Sequence, residues 1–425
     1  MVRERLKGFS KIENIDAALS KLLSRVEVRI GTQRVRISDA VGRVAAEDIV
    51  APYDYPPFNR AAVDGYAVRS SDTFGASPNN PIPLKCVGTI DTLVIKSTDT
   101  VVSKLPALRE GEAYLIFTGA PLPKGADAVV PLENVMVRDD TVLVLAQVPP
   151  LANVSRKGED FRKGEVIVRK GTRVMPWHVA ALAQANIAHI EVFRPIRIAI
   201  VNTGDELIEV GGGGPGIINS AGPLIESYAR LNGCEVLRLG IVRDNISEIR
   251  EAIRRGLEAA DVVIVTGGSS VGGKDVVPEA LASIEGAELV FHGVNLRPGR
   301  TAGAYVVNGK PVLMLSGLPV ACFVGLEAFL KPLIHHLLGA QPPPKVMVRA
   351  ILTRRVANVI GYRSFYRVKV FRGSDGKLYA EPLRLTGSGI ISTLIKGNAI
   401  LVIPENVEGF DEGTEVEVEL IGPIE

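Results

Sequence analysis

Several acids fall where strands should end. Asp205-Glu206 follow the apolar run Ile196–Val201, and Asp244 follows Val236–Val242. Lys274-Asp275 closes the segment Asp261–Asp275, DVVIVTGGSSVGGKD. There a β-branched run stops at Thr266-Gly267-Gly268, and a short polar loop precedes a helix from about Val276. Ligands of open α/β sheets bind beyond the carboxyl ends of the strands. Glycines let a ligand approach the backbone, and N–H groups at a helix start attract anions. Clustered carboxylates supply the oxygen donors that magnesium or another hard cation takes. Each acid alone serves equally as a helix cap. Arg297-Pro298-Gly299-Arg300 sets two guanidinium groups about a rigid turn, a geometry suited to phosphate and other oxyanions. Together these residues point to a metal and a phosphorylated ligand. Asp64, in PPFNRAAVDGYAV, is by itself a turn former.

Other chemistries fit parts of the same stretch. Gly268 to Lys274 satisfies G-x-x-x-x-G-K, but a phosphate loop needs Ser or Thr next and this chain has Asp275. Gly268 to Gly272 satisfies the G-x-S-x-G nucleophile elbow. That elbow needs a later acid and then a histidine; His292 comes too soon, and His335-His336 lie in an apolar helical pattern. Gly211 to Gly216 matches G-x-G-x-x-G, but a glycine run does so trivially and joins no strand directly to a helix. A tight strand-to-helix turn without a ligand remains an alternative for 267–275.

The elements that must hold these residues change style along the chain. Ile12, Ile15, Leu19, Leu22 and Val26 have helical spacing. From about Ile49 to Val148, short β-rich runs separated by Pro, Gly and Asn predict a mainly β domain. Gly158–Arg173 repeats short turns (KGED, RKGE, RKGT), which predicts tight hairpins. From Ile196, strands alternate with helices at Ala221–Leu231, Ile246–Leu257 and after Pro319, which predicts a doubly wound parallel sheet. Gln341-Pro342-Pro343-Pro344 reads as a stiff linker, and 345–425 as a small β-barrel or sandwich with no obvious chemistry. The 425 residues, 46% hydrophobic and 23% charged, suit a soluble chain of two to four domains. A net charge of +2 gives no bulk attraction to nucleic acid or membrane. Three scattered cysteines, Cys86, Cys234 and Cys322, exclude a disulfide framework and suit a reducing, cytoplasmic setting. The N-terminus lacks the apolar core of a signal peptide, and no apolar run is long enough to span a membrane.

Beyond these readings, the chain resembles the MoeA family of molybdopterin molybdenumtransferases, related to the C-terminal domain of gephyrin. The marks are PPFNRAAVDGYAV, TGAPLPKGADAVVPLE, GEDFRKGEVI, IAIVNTGDEL, VIVTGGSSVGGKD and GSGIISTLIKGNAILVIPE, in order over essentially the whole length. The resemblance implies four domains: an elongated one from 1–46 with 150–193, an inserted β domain at 47–149, a molybdopterin-binding α/β domain at 194–340, and a C-terminal β-barrel at 345–425. It implies insertion of molybdate or tungstate into adenylylated molybdopterin with release of AMP, assisted by Mg2+ or a similar divalent cation. It implies a homodimer with an active site between subunits, and a molybdopterin adenylyltransferase as a further partner. Asp64, Glu206, Asp244 and Asp275 are the implied catalytic and metal-coordinating residues. Thr118, Asp160, Thr203, Gly267, Gly268, Ser270, Lys274, Arg297, Arg300 and Ser316 are the implied substrate-binding residues. Arg297–Arg300 replaces the family's K-P-G-K, and Ser316-Gly317-Leu318-Pro319 its P-G-N-P. Two other functions compete: a scaffold that binds molybdopterin without catalysis, and molybdopterin adenylylation, for which the α/β domain alone would suffice.

Overall fold

A computed structural model describes residues 12–91, 105–267, 276–383 and 387–424. These fall into two compact units. One comprises residues up to Gln33, Gly42–Ala46 and Val192 onward; the other comprises Arg34–Val41 and Glu47–Glu191.

The first unit contains a six-stranded sheet in the order Glu235–Val242, Arg197–Thr203, Val262–Thr266, Lys310–Leu315, Gly303–Val307, Ala287–His292. The first four strands are parallel, as expected; Gly303–Val307 pairs antiparallel with Lys310–Leu315 on one side and with Ala287–His292 on the other. All five residues of Val262–Thr266 are buried, as a central strand covered on both faces requires. Helix Ala221–Leu231 packs Ile225 and Ala229 with Ile198, Ile200 and Ile264 on one face. Helices Ile246–Ala259 and Val276–Ala282 cover the other with Ile249, Ile253 and Leu281. The doubly wound reading therefore holds. Asn245 caps Ile246–Ala259: its side chain accepts from the N–H groups of Ser247 and Glu248.

Helix Ile15–Arg25, capped by Asn14, buries Ile15, Ala18 and Leu22 at helical spacing in the first of these cores. The stretch Pro319–Leu338 is, among the described residues, long and apolar enough by composition to cross a membrane. This corrects the expectation that no such run exists. Its central window is 61% buried within the protein, and Val320, Leu326, Phe329 and Leu333 lie in the core, so it is a core helix. A π turn at Leu326–Leu330 interrupts it, and it ends at Gly339 in the left-handed region (φ 56°).

After the exposed Gln341–Pro344 segment, strands Met347–Leu352, Arg363–Arg372, Leu378–Pro382, Ala399–Ile403 and Glu415–Leu420 close into a barrel. Pairing of Arg363–Arg372 with Ala399–Ile403 joins the ends of the sheet. Leu296–Arg297, outside the C-terminal segment, adds a short parallel strand against Arg363-Ser364.

The second unit holds a six-stranded sheet in the order Ala128–Pro131, Gly65–Val68, Glu112–Ile116, Ile82–Ile90, Thr141–Val144, Val135–Arg138. The turns at Gly158, Gly164 and Gly171 form with positive φ, but they do not make tight hairpins. Val154–Ser155 pairs instead with Arg60–Ala61, and Val166–Val168 with Ile49–Val50. The flanking strands are too short to stabilise one another locally, and distant partners complete their ladders.

Candidate active site

Two acidic segments meet at the carboxyl edge of the α/β sheet. Thr203 stands beside Val242, and Thr266 beside Asn202 and Leu315. This register delivers Thr203, Asp205, Glu206, Asp244, Gly267 and Ser316 to one edge. The Asp244 N–H donates to Asp205 Oδ1 at 3.2 Å. Glu206 is exposed, and its carboxylate folds over Gly204, where a Cβ would lie 2.9 Å from both oxygens. Gly267 (φ 92°) passes so close to Thr203 that a Cβ would lie 2.1 Å from the Thr203 carbonyl oxygen. Only glycine fits there. Ser316 Oγ accepts from the Leu318 N–H at 3.2 Å, bracing the next turn. Gly268, Ser270, Lys274 and Asp275 lie outside the described residues.

Beneath this edge runs a buried polar chain. Asn202 Nδ2 donates to Thr266 Oγ1 at 2.5 Å, Asn219 Nδ2 to Asn202 Oδ1 at 3.0 Å, and the Gly222 N–H to Asn219 Oδ1 at 3.0 Å. All three side chains are at most 2% exposed. The chain ties two strand ends to the start of helix Ala221–Leu231.

In the second unit, Asp64 and Thr118 come together. Asp64 immediately precedes the strand Gly65–Val68 and Thr118 follows Glu112–Ile116, and the antiparallel pairing of Gly65 with Ile116 brings the two ends together. Asp64 Oδ1 accepts from both the N–H and the Oγ1 hydroxyl of Thr118, each at 2.7 Å. The backbone bond first, then the hydroxyl, hold the Asp64 carboxyl below its usual range. Asp160 is exposed, and its N–H donates to the Tyr55 carbonyl at 3.1 Å. Asn59 Oδ1 accepts from the Lys157 N–H at 2.9 Å, fastening the GEDF turn to the FNR segment.

Among the described residues, no three His, Cys, Asp or Glu side chains gather as a metal site. Asp205, Glu206 and Asp244 have the right donor chemistry for a hard cation but do not by themselves enclose one.

A cleft of ≈ 520 Å³ opens where the α/β layer meets the barrel; Arg297 and Arg300 form one wall, and Tyr362, Ser364 and Arg367 another. Arg367 is 4% exposed. Its Nε donates to Thr393 Oγ1 at 3.2 Å, and an Nη to the Phe365 carbonyl at 2.7 Å. Burial pushes its pKa down. Among the described residues, none of the three arginines pairs with a carboxylate. Ser388 closes the cleft, and its carbonyl accepts from the Val320 and Ala321 N–H groups at the next helix start. The C-terminal barrel, read from the sequence as having no obvious chemistry, thus contributes Arg367 and Ser388 to the lining of this cleft. Arg367 sits in SFYRVKV between buried Tyr366 and Val368. An arginine in such an apolar run was the available signal.

Three family models match in order: "MoeA N-terminal region (domain I and II)" over residues 13–185, "Probable molybdopterin binding domain" over 199–336, and "MoeA C-terminal region (domain IV)" over 349–421. The chain belongs to the MoeA family. It is similar to a Methanocaldococcus jannaschii protein ascribed to molybdopterin biosynthesis, at 38% identity over 98% of each chain. It is 32% identical to the molybdopterin molybdenumtransferase of Staphylococcus epidermidis, over 94% of this chain and 93% of that one. The crystal structure of the Pyrococcus horikoshii MoeA molybdopterin biosynthesis protein matches 96% of this chain and 100% of its own, with 34% identity and a TM-score of 0.81. As a MoeA-family protein, the chain is an enzyme of molybdenum cofactor biosynthesis, a transferase acting on molybdopterin.

Proposed function

We propose that the enzyme takes molybdate or tungstate into the cleft between Arg297, Arg300 and Arg367, transfers the metal to the dithiolene of adenylylated molybdopterin, and releases AMP. Buried Arg367 carries this reading. A guanidinium in so poor a solvent, facing a cleft with two further arginines, stabilises a tetrahedral dianion and fixes it through several N–H groups. The carboxyl edge of the sheet supports a phosphate-bearing substrate, because glycine backbone and strand-end groups converge there. Thr203, Gly267 and Ser316 line that edge, and Gly268, Ser270 and Lys274, which follow Gly267 in the sequence, are proposed to bind the same substrate. Asp64, held ionised by Thr118, and Asp160 are the proposed site residues of the second unit. Asp64, Glu206, Asp244 and Asp275 are the proposed carboxylates for catalysis and for a divalent cation of the magnesium class, which would neutralise phosphate charge when bound.

The proposal extends to a four-domain division at the boundaries given above, a homodimer, a cytoplasmic location, and supply of substrate by a molybdopterin adenylyltransferase. Matches to all three family models favour metal insertion over adenylylation, for which the α/β domain alone would suffice. The test mixes the protein with adenylylated molybdopterin, molybdate and magnesium, and measures AMP and cofactor. AMP and cofactor should appear together. No AMP above background would leave a binding scaffold as the reading.

A further inference from the structure

Asn295 is 8% exposed and stands two residues before Arg297. Each of its polar groups is bonded to another part of the first unit. Its N–H donates to the Glu13 carbonyl at 2.9 Å, and its carbonyl accepts from the Arg363 N–H at 2.8 Å. Its side-chain Oδ1 accepts from the Ile15 N–H at 2.9 Å, and Nδ2 reaches Glu405 Oε1 at 3.5 Å. Three segments thus meet on one side chain and its peptide: the start of helix Ile15–Arg25, the barrel strand Arg363–Arg372, and the loop at Glu405. Arg363 reinforces the junction, donating to both Asp16 oxygens at 2.9 and 2.6 Å and pairing with Glu405 at 2.9 Å.

The position of this junction matters more than its strength. Leu296, fully buried, and Arg297 pair in parallel register with Arg363 and Ser364. Ser364 to Arg367 form one wall of the cleft, and Arg297 to Arg300 the other. Asn295 therefore sits where the register between the walls is set, and it touches neither the cleft nor its arginines.

We propose that Asn295 is a positioning residue for the oxyanion substrate, holding Arg297 and Arg300 at the distance from Arg367 that a tetrahedral dianion needs. This rests on the reading of the cleft as the oxyanion site. Oriented groups bind because the cost of ordering them is met during folding, so loosening the junction weakens anion binding without altering the groups that bind.

The experiment titrates sodium molybdate and sodium tungstate into the full chain by calorimetry, then measures initial rates against each substrate. Asn295→Ala should weaken oxyanion affinity about tenfold, the size expected for losing one or two buried hydrogen bonds. It should raise KM for molybdate to match. The KM for adenylylated molybdopterin, and kcat at saturating molybdate, should stay within about twofold of wild type. An unchanged molybdate affinity, or a loss confined to kcat or to the pterin KM, overturns the proposal. If Asn295→Ala does not fold, Asn295→Asp carries the test, since it keeps the acceptor for Ile15 and loses the donor to Glu405. Weakening of about threefold supports the proposal, and unchanged affinity overturns it. If wild type binds neither oxyanion, the reading of the cleft itself fails.

Discussion

Asp64 Oδ1 receives two hydrogen bonds from one residue, the N–H and the hydroxyl of Thr118, each at 2.7 Å. Both donors favour the ionised carboxyl and hold its pKa below the usual range. Thr118→Val removes the hydroxyl and keeps the shape and the backbone bond. The Asp64 pKa should rise toward its ordinary value, so the acid limb of the pH–rate profile moves to higher pH while the alkaline limb stays. Asp64→Asn should cost at least about a hundredfold in turnover, the scale of losing a positioned acid or base. A pH profile superimposable on wild type for Thr118→Val would break the link between the bonds and the chemistry.

Arg367 sets function against stability. It is buried, and among the described residues its acceptors are neutral, Thr393 Oγ1 and the Phe365 carbonyl. Burying a cation without an anion costs folding energy. Arg367→Met should therefore give a protein with a melting temperature at or above wild type. The same variant should raise KM for molybdate by about a hundredfold, the scale of one or two charge-assisted bonds. Arg367→Lys should fall between, because an ammonium cannot reproduce the planar fork. A destabilised Arg367→Met with normal molybdate kinetics would make the residue structural.

The buried chain from Thr266 through Asn202 to Asn219 predicts a different outcome. Thr266→Val leaves the Asn202 amide without its acceptor at a site 1% exposed. The cost should be about 1–3 kcal/mol, seen as a lower first melting transition by calorimetry. Thr266→Ser should restore most of it. Equal melting of Thr266→Val and wild type would show that water replaces the hydroxyl.

Arg194 and Asp261 form a bidentate pair at 2.7 and 2.8 Å, and the Arg197 N–H adds a bond at 2.8 Å. Burial pushes the Asp261 carboxyl up, but these donors outweigh it and the net direction is down. A carboxyl depressed in the folded state contributes stability that is present above its unfolded pKa of about 3.9 and is lost as pH falls through the folded value. Asp261→Ala should cost about 1–3 kcal/mol near neutral pH, the scale of lost charge-assisted hydrogen bonds at a part-buried site. The gap from wild type should shrink in acid unfolding experiments below about pH 4. A gap independent of pH would point to packing instead.

Local patterns in the chain were enough to determine the strand Val262–Thr266, the helices Ala221–Leu231 and Ile246–Ala259, and the placement of Asp205, Glu206 and Asp244 just after strands. β-branched runs, 3.6-residue spacing and capping residues act between near neighbours, so a single stretch carries them. Tertiary structure alone decided what required a distant partner. Val166–Val168 completes its ladder with Ile49–Val50, more than a hundred residues earlier, rather than in a hairpin. Arg367 becomes a cleft residue because Leu296–Arg297 docks beside Arg363-Ser364. The Asp64 carboxyl is tuned only once Thr118 lies next to it. Hydrogen bonds and ionic fields depend on separation in space, and no spacing in the sequence specifies the register that brings these residues together.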